Sequence, residues 1–153
     1  MLVCGYPHFL LIVKTRNFSS DAEVAALVQA FEEATIPASE FNHLAHIAVA
    51  LSYMERWPQE EALERMRLSI KRFASHHGAD QLYHETLTTF WMRLLGQLRA
   101  VYQVDLPLWQ RINLMVDRWG TRHPVEAHYS RELLSSPAAR AGWVAPDRLP
   151  LPF

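Results

Sequence analysis

The stretch LAHIAVAL, residues 44–51, is apolar on nearly every side when it is wound as a helix. A helix of this kind is ordinarily surrounded by other elements, because it has no polar face to turn toward water. We therefore expect a central, buried helix over about residues 40–56. Ser39 is placed to cap its N-terminus, and Glu40 would follow in the first turn, where a carboxylate opposes the helix dipole.

Four further helices are predicted around this central one from apolar residues at helical spacing and from signals at the helix ends. The first follows a capping box at Ser20–Glu23. The four predicted ranges are about 20–33, 58–78, 80–102 and 107–120. The expected fold is therefore all-α, a single bundle of about five helices with an extended Pro-rich C-terminal strap.

The chain has 153 residues, a length typical of one domain. Residues 20–120 are expected to form the helical bundle. Residues 1–18 lean toward β structure and are predicted to be a peripheral N-terminal arm. Residues 121–153 are predicted to form short turns followed by the strap, with Trp143 as the buried anchor of that strap.

Composition excludes several classes of protein. Half of the residues are hydrophobic and a fifth are charged, which argues against disorder. The single cysteine excludes a disulfide framework and a Cys-rich zinc module. A net charge of −1 offers no basic field to nucleic acid or to anionic lipid, and the early apolar run at residues 9–13 is shorter than the roughly 20 residues of a membrane span. We expect a cytoplasmic protein that binds neither nucleic acid nor membrane, while a small-molecule ligand and a homo-oligomer stay open.

Histidines form the constellation that points most clearly to chemistry. His43 and His46 are three residues apart, so both imidazoles leave the same face of the central helix. Glu40 precedes His43 by one turn, which is the Glu-x-x-His spacing of carboxylate-bridged metal bundles. The fourth helix offers His84 and Glu85 near its start. Neutral imidazole is a common ligand for first-row metals, so the pattern predicts a site for a divalent metal, zinc or iron.

In this hypothesis His43, His46 and His84 are the metal ligands, and Glu85 is the catalytic residue, acting as a base or orienting a ligand. The three rings would have to converge so that each ligand nitrogen lies about 2.0–2.1 Å from one metal ion. The protein would then be a small metal-binding helical protein, and by extension a metal-dependent enzyme acting on a small molecule. The same spacing also suits histidines that are hydrogen-bonded in a core. The alternative is therefore a non-enzymatic helical interaction or ligand-binding module with structural histidines.

Three segments together resemble a family of small all-helical bacterial proteins. The segments are FNHLAH at residues 41–46, YHETLTTFW at 83–91, and the stretch from Tyr129 to Trp143 that contains ARAGW. The similarity covers roughly residues 20–150 and leaves the first 18 residues outside. It implies a helical fold and draws attention to the same histidines, but it carries no activity.

Overall fold

A computed structural model describes residues 17–101, 105–120 and 122–153, so most of the predicted N-terminal arm lies outside the described residues. All regular secondary structure in the described part of the chain is helical, which confirms the all-α prediction. Five longer helices are followed by three short ones, and two 3-10 turns lie at Ala38–Glu40 and Asp80–Leu82. The helices are α1 Asp21–Glu32, α2 His43–Arg56, α3 Gln59–His76, α4 Glu85–Val101, α5 Leu108–Trp119, α6 Val125–His128, α7 Arg131–Leu134 and α8 Pro137–Ala141.

Helix α2 is central, as its sequence predicts. It contacts α1, α3, α4 and α5, and residues 47–50 have no exposed surface. Its small alanine side chains at positions 45, 48 and 50 let the neighbouring helices approach closely on more than one side. The apolar stretch therefore sets the arrangement of the four helices packed around it.

The start of α2 differs from the prediction. Ser39 and Glu40 belong to a 3-10 turn, and α2 begins at His43 with Asn42 as its cap, whose side-chain oxygen accepts a hydrogen bond from the Ala45 amide at 3.1 Å. Phe41 between them has non-helical backbone angles (φ −80°, ψ 65°).

The physical reason for this later start is the burial of the Phe41 ring. It stacks on Phe31 with ring centroids 4.4 Å apart and lies 4.9 Å from Phe73, so the chain leaves helical geometry to deliver the ring to the core. Glu40 is exposed and lies outside the helix. The Glu-x-x-His spacing with His43 therefore does not place the two side chains on one helical face.

Helix α4 separates two apolar cores. Met92 and Leu95 belong to the main core with α1, α2, α3 and α5. Leu87, Phe90 and Leu94 belong to a second, smaller core, which also contains residues of α6 and of the C-terminal segment. Helix α4 therefore has apolar side chains on two of its sides, and it lies between the two cores.

Residues 142–153 have no regular secondary structure and pack against α4 and α6. The Thr86 hydroxyl donates to the carbonyl of Gly142 at 2.8 Å, and the Tyr129 hydroxyl donates to the carbonyl of Val144 at 2.9 Å. These bonds fasten the backbone on both sides of residue 143.

Trp143 is not the buried anchor that its sequence position predicts. Its side chain is 37% exposed, and the guanidinium of Arg93 lies 5.2 Å from the ring centroid. The carbonyls on both sides of Trp143 are bonded to the bundle, and the indole is turned toward the surface. The apolar contacts of this segment with the second core come from Val144, Leu151 and Phe153.

The chain before α1 is attached to α5 through Phe18. Its amide donates to the side-chain oxygen of Asn113 at 3.0 Å, and the Asn113 amide donates to the Phe18 carbonyl at 2.8 Å. The Phe18 ring packs against the main core. The last residue of the predicted arm thus takes part in the bundle.

The cap of α2 gives a direct test of its start. We expect Asn42→Ala to lower the free energy of unfolding by about 1 kcal/mol, because the Ala45 amide loses its side-chain acceptor. Ser39→Ala is the matched control, since Ser39 is exposed and lies before the helix, and it should leave stability within about 0.5 kcal/mol of wild type. Urea unfolding of the two variants measures both effects. A larger loss in Ser39→Ala would place the cap where the sequence alone predicts it.

Candidate functional site

His46 lies inside the main core. It is 3% exposed, its ring centroid is 4.0 Å from that of Phe41, and its Nδ1–H donates to the backbone carbonyl of Asn42 at 2.8 Å. Burial is the chief cause that lowers the pKa of His46 well below 6.5. The imidazole is therefore neutral and fixed to the first turn of α2.

His43 is half-buried one turn before His46. Its ring meets Trp91 edge-on at 4.8 Å. Burial lowers the pKa of His43 from 6.5 to about 4, and electrostatic repulsion from His123 contributes in the same direction. A hydrogen bond with the backbone of Trp119 raises the pKa but does not outweigh these effects. This histidine is also neutral at physiological pH.

His84 caps helix α4. Its Nε2 bonds to the carbonyl of Leu134 at 2.8 Å and therefore carries the proton, while its Nδ1 accepts from the Leu87 amide at 3.4 Å. The ring is 2% exposed, and burial is the main cause that lowers the pKa of His84. Nε2 carries the proton, and the lone pair of Nδ1 faces the Leu87 amide. Both ring nitrogens are therefore engaged by backbone groups and not directed at a metal site.

The structure does not bring the three predicted ligands together. Across the part of the chain that is described, no group of three or more histidine, cysteine, aspartate or glutamate side chains is placed to hold a metal ion. Because His84 is turned to cap its own helix, the described residues do not supply the three-ligand geometry expected for His43, His46 and His84. Metal uptake by the protein stays a prediction that metal analysis would test.

Glu85, the predicted catalytic residue, lies in a dense hydrogen-bond network. Its carboxylate accepts from Arg67 Nε at 2.6 Å, from the Tyr83 hydroxyl at 2.6 Å and from the Thr89 hydroxyl at 3.0 Å. Burial raises the pKa of Glu85, but these three donors outweigh burial, and the pKa is lowered. A general base near neutral pH needs the opposite shift. The geometry makes Glu85 an anchor between α3 and α4.

A groove that sequence reasoning missed lies between α2, α4 and α5. Its volume is about 180 Å³. Its lining surface is mostly apolar and includes three arginines; the lining residues are Leu51, Arg99, Leu108, Arg111, Leu114, Met115 and Arg118. Ligand pockets in proteins commonly have such a lining, in which apolar side chains predominate and a few polar groups are added.

Helix α5 builds most of the groove through its residue spacing. Leu108, Arg111, Met115 and Arg118 are three or four residues apart, so their side chains follow one side of the helix. The other walls come from Leu51 of α2 and Arg99 of α4. Met115 also belongs to the main core and Leu108 packs against it, so their helical spacing alone predicts core positions. The arginines between them are the signal in the sequence that could have indicated the groove.

Glu55 of α2 organises two of the three arginines. Its carboxylate accepts from both terminal nitrogens of Arg111 at 3.0 Å each, and it lies 3.4 Å from Nε of Arg99. The hydrogen bonds from Arg111 are the largest cause that lowers the pKa of Glu55. Arg118 is exposed, and it has no ion pair with any residue that the structure describes.

Comparison with known proteins gives no match to a family profile, to a curated protein or to a solved structure. None of the helices in the described ranges is both long enough and apolar enough to cross a membrane.

Glu85 and Glu64 form a matched pair, because both accept from Arg67. The Glu85 side chain is 11% exposed and that of Glu64 is 63% exposed. We expect Glu85→Gln to lower the free energy of unfolding by about 2 kcal/mol, since it leaves buried donors without their charged acceptor. Glu64→Gln should cost less than about 0.5 kcal/mol. Chemical denaturation at neutral pH compares them, and equal losses would refute a special role for the buried carboxylate.

The neutral histidines predict that mild acid destabilises the protein. Burial lowers the folded-state pKa of all three histidines, so below the usual pKa of 6.5 the unfolded chain binds more protons and stability falls as the pH falls. For His43 this range lies between about 4 and 6.5. For His43 alone the loss between pH 7 and pH 5 is about 2 kcal/mol. His43→Gln should reduce this loss in denaturation curves at the two pH values. Parallel pH dependences of wild type and variant would contradict the assignment.

Proposed function

We propose that the protein is a non-enzymatic ligand-binding module that takes a small molecule with an apolar body in the groove between α2, α4 and α5. The groove itself carries this proposal, because it combines apolar walls with a cationic rim. Ligand-binding sites commonly have a mostly apolar lining, and a few polar groups in them fix the orientation of the ligand.

The size of the groove sets the size of the group that enters it. Its volume of about 180 Å³ slightly exceeds the roughly 150 Å³ of an apolar cavity that accepts benzene. A single ring or a branched aliphatic group therefore fits between Leu51, Leu108 and Met115. A longer ligand would extend from the open side beside Leu114, whose side chain is 51% exposed.

The groove favours binding over catalysis because of the chemistry of its lining. Its side chains are leucine, methionine and arginine, none of which supplies a nucleophile or a proton donor with a pKa near neutrality. The groups with such chemistry lie elsewhere, with His84 and Glu85 committed to the start of α4. The metal-enzyme hypothesis lacks a comparable supporting geometry.

A neutral probe tests the proposal. Burying about 150 Å² of a ring contributes about 4 kcal/mol, so 4-fluorotoluene should bind with a dissociation constant on the order of 1 mM. Fluorine NMR of the probe would show this as line broadening that saturates. Leu114→Asp should abolish the effect, because it places a charge on the apolar wall.

Leu68→Asp is the matched control for this experiment. Leu68 is an exposed leucine on α3, 66% accessible, and it lies outside the groove. The control should retain the broadening seen with wild type. If wild type shows no broadening, or if both variants lose it equally, the groove does not bind the probe and the proposed function is wrong.

A further inference from the structure

We infer that the ligand of the groove is a small monocarboxylate, whose carboxylate pairs with Arg118 while its ring-sized apolar body lies against Leu114 and Met115. This inference rests on the proposed function and adds the chemical class of the ligand. It is carried by the unequal roles of the three arginines of the groove.

Arg111 is already engaged by the protein through all three of its guanidinium nitrogens. Its Nε donates to the carbonyl of Leu106 at 3.1 Å, and its two terminal nitrogens donate to the carboxylate of Glu55. All three nitrogens of the guanidinium are therefore held by α2 and by the segment before α5. Arg111 shapes the wall of the groove, and its charge is compensated by Glu55.

Arg99 is held in a similar way. It donates to the backbone carbonyl of Met54 and lies in ion-pair distance of Glu55. Because Glu55 is shared by Arg99 and Arg111, both guanidinium groups have a fixed orientation before any ligand arrives. Neither is the first choice for a new anionic partner.

Arg118 is the arginine that remains available. Within residues 17–101, 105–120 and 122–153, no hydrogen bond, ion pair or aromatic ring engages its guanidinium. It follows Leu114 by four residues on α5, so the two side chains are neighbours on the helix surface. A guanidinium binds a carboxylate through two parallel N–H···O bonds, which fixes the ligand's orientation.

Arg118 places one available guanidinium beside one ring-sized apolar recess. We therefore expect a ligand with one negative charge next to one apolar group. Among the described residues the groove lining contains no carboxylate, and the neighbouring Glu55 is paired with Arg99 and Arg111. The chemistry recognised is therefore that of a monoanionic aromatic or branched aliphatic acid.

The experiment compares three probes that share a fluorinated ring: 4-fluorobenzoate, the neutral 4-fluorobenzamide and the doubly charged 4-fluorophenyl phosphate. Fluorine NMR titrations at neutral pH and low ionic strength give their dissociation constants. We expect the benzoate to bind about fivefold more tightly than the amide, the gain that a largely solvent-exposed ion pair provides. Added salt should reduce this difference.

Arg118→Gln should make the benzoate and the amide bind equally, while leaving the binding of the amide unchanged. Arg131→Gln is the matched control, because it removes the same charge from an exposed arginine of α7, outside the groove, and it should keep the wild-type preference. Together the two variants separate a local ion pair from the effect of net charge.

The possible failures are distinguishable. If the amide binds and the benzoate shows no preference, or if Arg118→Gln retains that preference, the monocarboxylate inference is wrong while the proposed function stands. Tighter binding of the phosphate than of the benzoate would overturn the monoanionic class. If no probe binds, the proposed function fails, and the inference fails with it.

Discussion

The apolar surface of α2 is the constraint on which the rest of the structure depends. A helix with residues 47–50 fully buried needs neighbours on every side, and α1, α3, α4 and α5 supply them. This arrangement fixes α4 and α5 on the flank of α2 near Leu51. The groove is the space that remains between these three helices. The central packing thus creates the cavity as well as the core.

Several polar side chains of the kinds found in catalytic and metal sites form hydrogen bonds at the ends of helices. Asn42 satisfies an amide at the start of α2, and His84 does the same for α4 while it also donates to the carbonyl of Leu134, the last residue of α7. Glu85 accepts three hydrogen bonds at the same end of α4. A helix begins with amides that lack partners, and the buried start of α4 cannot leave that task to water. His84 meets this need at α4, whereas Glu85 accepts from the side chains of Arg67, Tyr83 and Thr89. Both residues are buried.

The ion pairs around Glu55 contribute more to geometry than to stability. Glu55, Arg99 and Arg111 belong to α2, α4 and α5, so one carboxylate links the three helices that form the groove. Because these side chains are between 23% and 35% exposed, each pair is worth at most about 1 kcal/mol. Their effect is to orient two guanidinium groups and to leave Arg118 as the available cation. In the proposed site, two guanidinium groups would therefore be oriented by ion pairs that add little to the folding free energy.

The sequence by itself determined the helical class, the central place of residues 44–51 and the approximate ranges of the longer helices, because apolar periodicity and capping residues act over only a few positions. It misplaced the start of α2, since the burial of the Phe41 ring between Phe31 and Phe73 is a contact among distant residues. It also proposed a convergence of His43, His46 and His84 that the structure does not form, because the direction of a side chain across two helices depends on how those helices cross. The groove has the same origin. The spacing of leucine and arginine along α5 is visible in the sequence. The positions of Leu51 and Arg99 beside α5 depend on how the helices pack around α2. The same packing pairs Arg99 and Arg111 with Glu55 and leaves Arg118 outside these ion pairs.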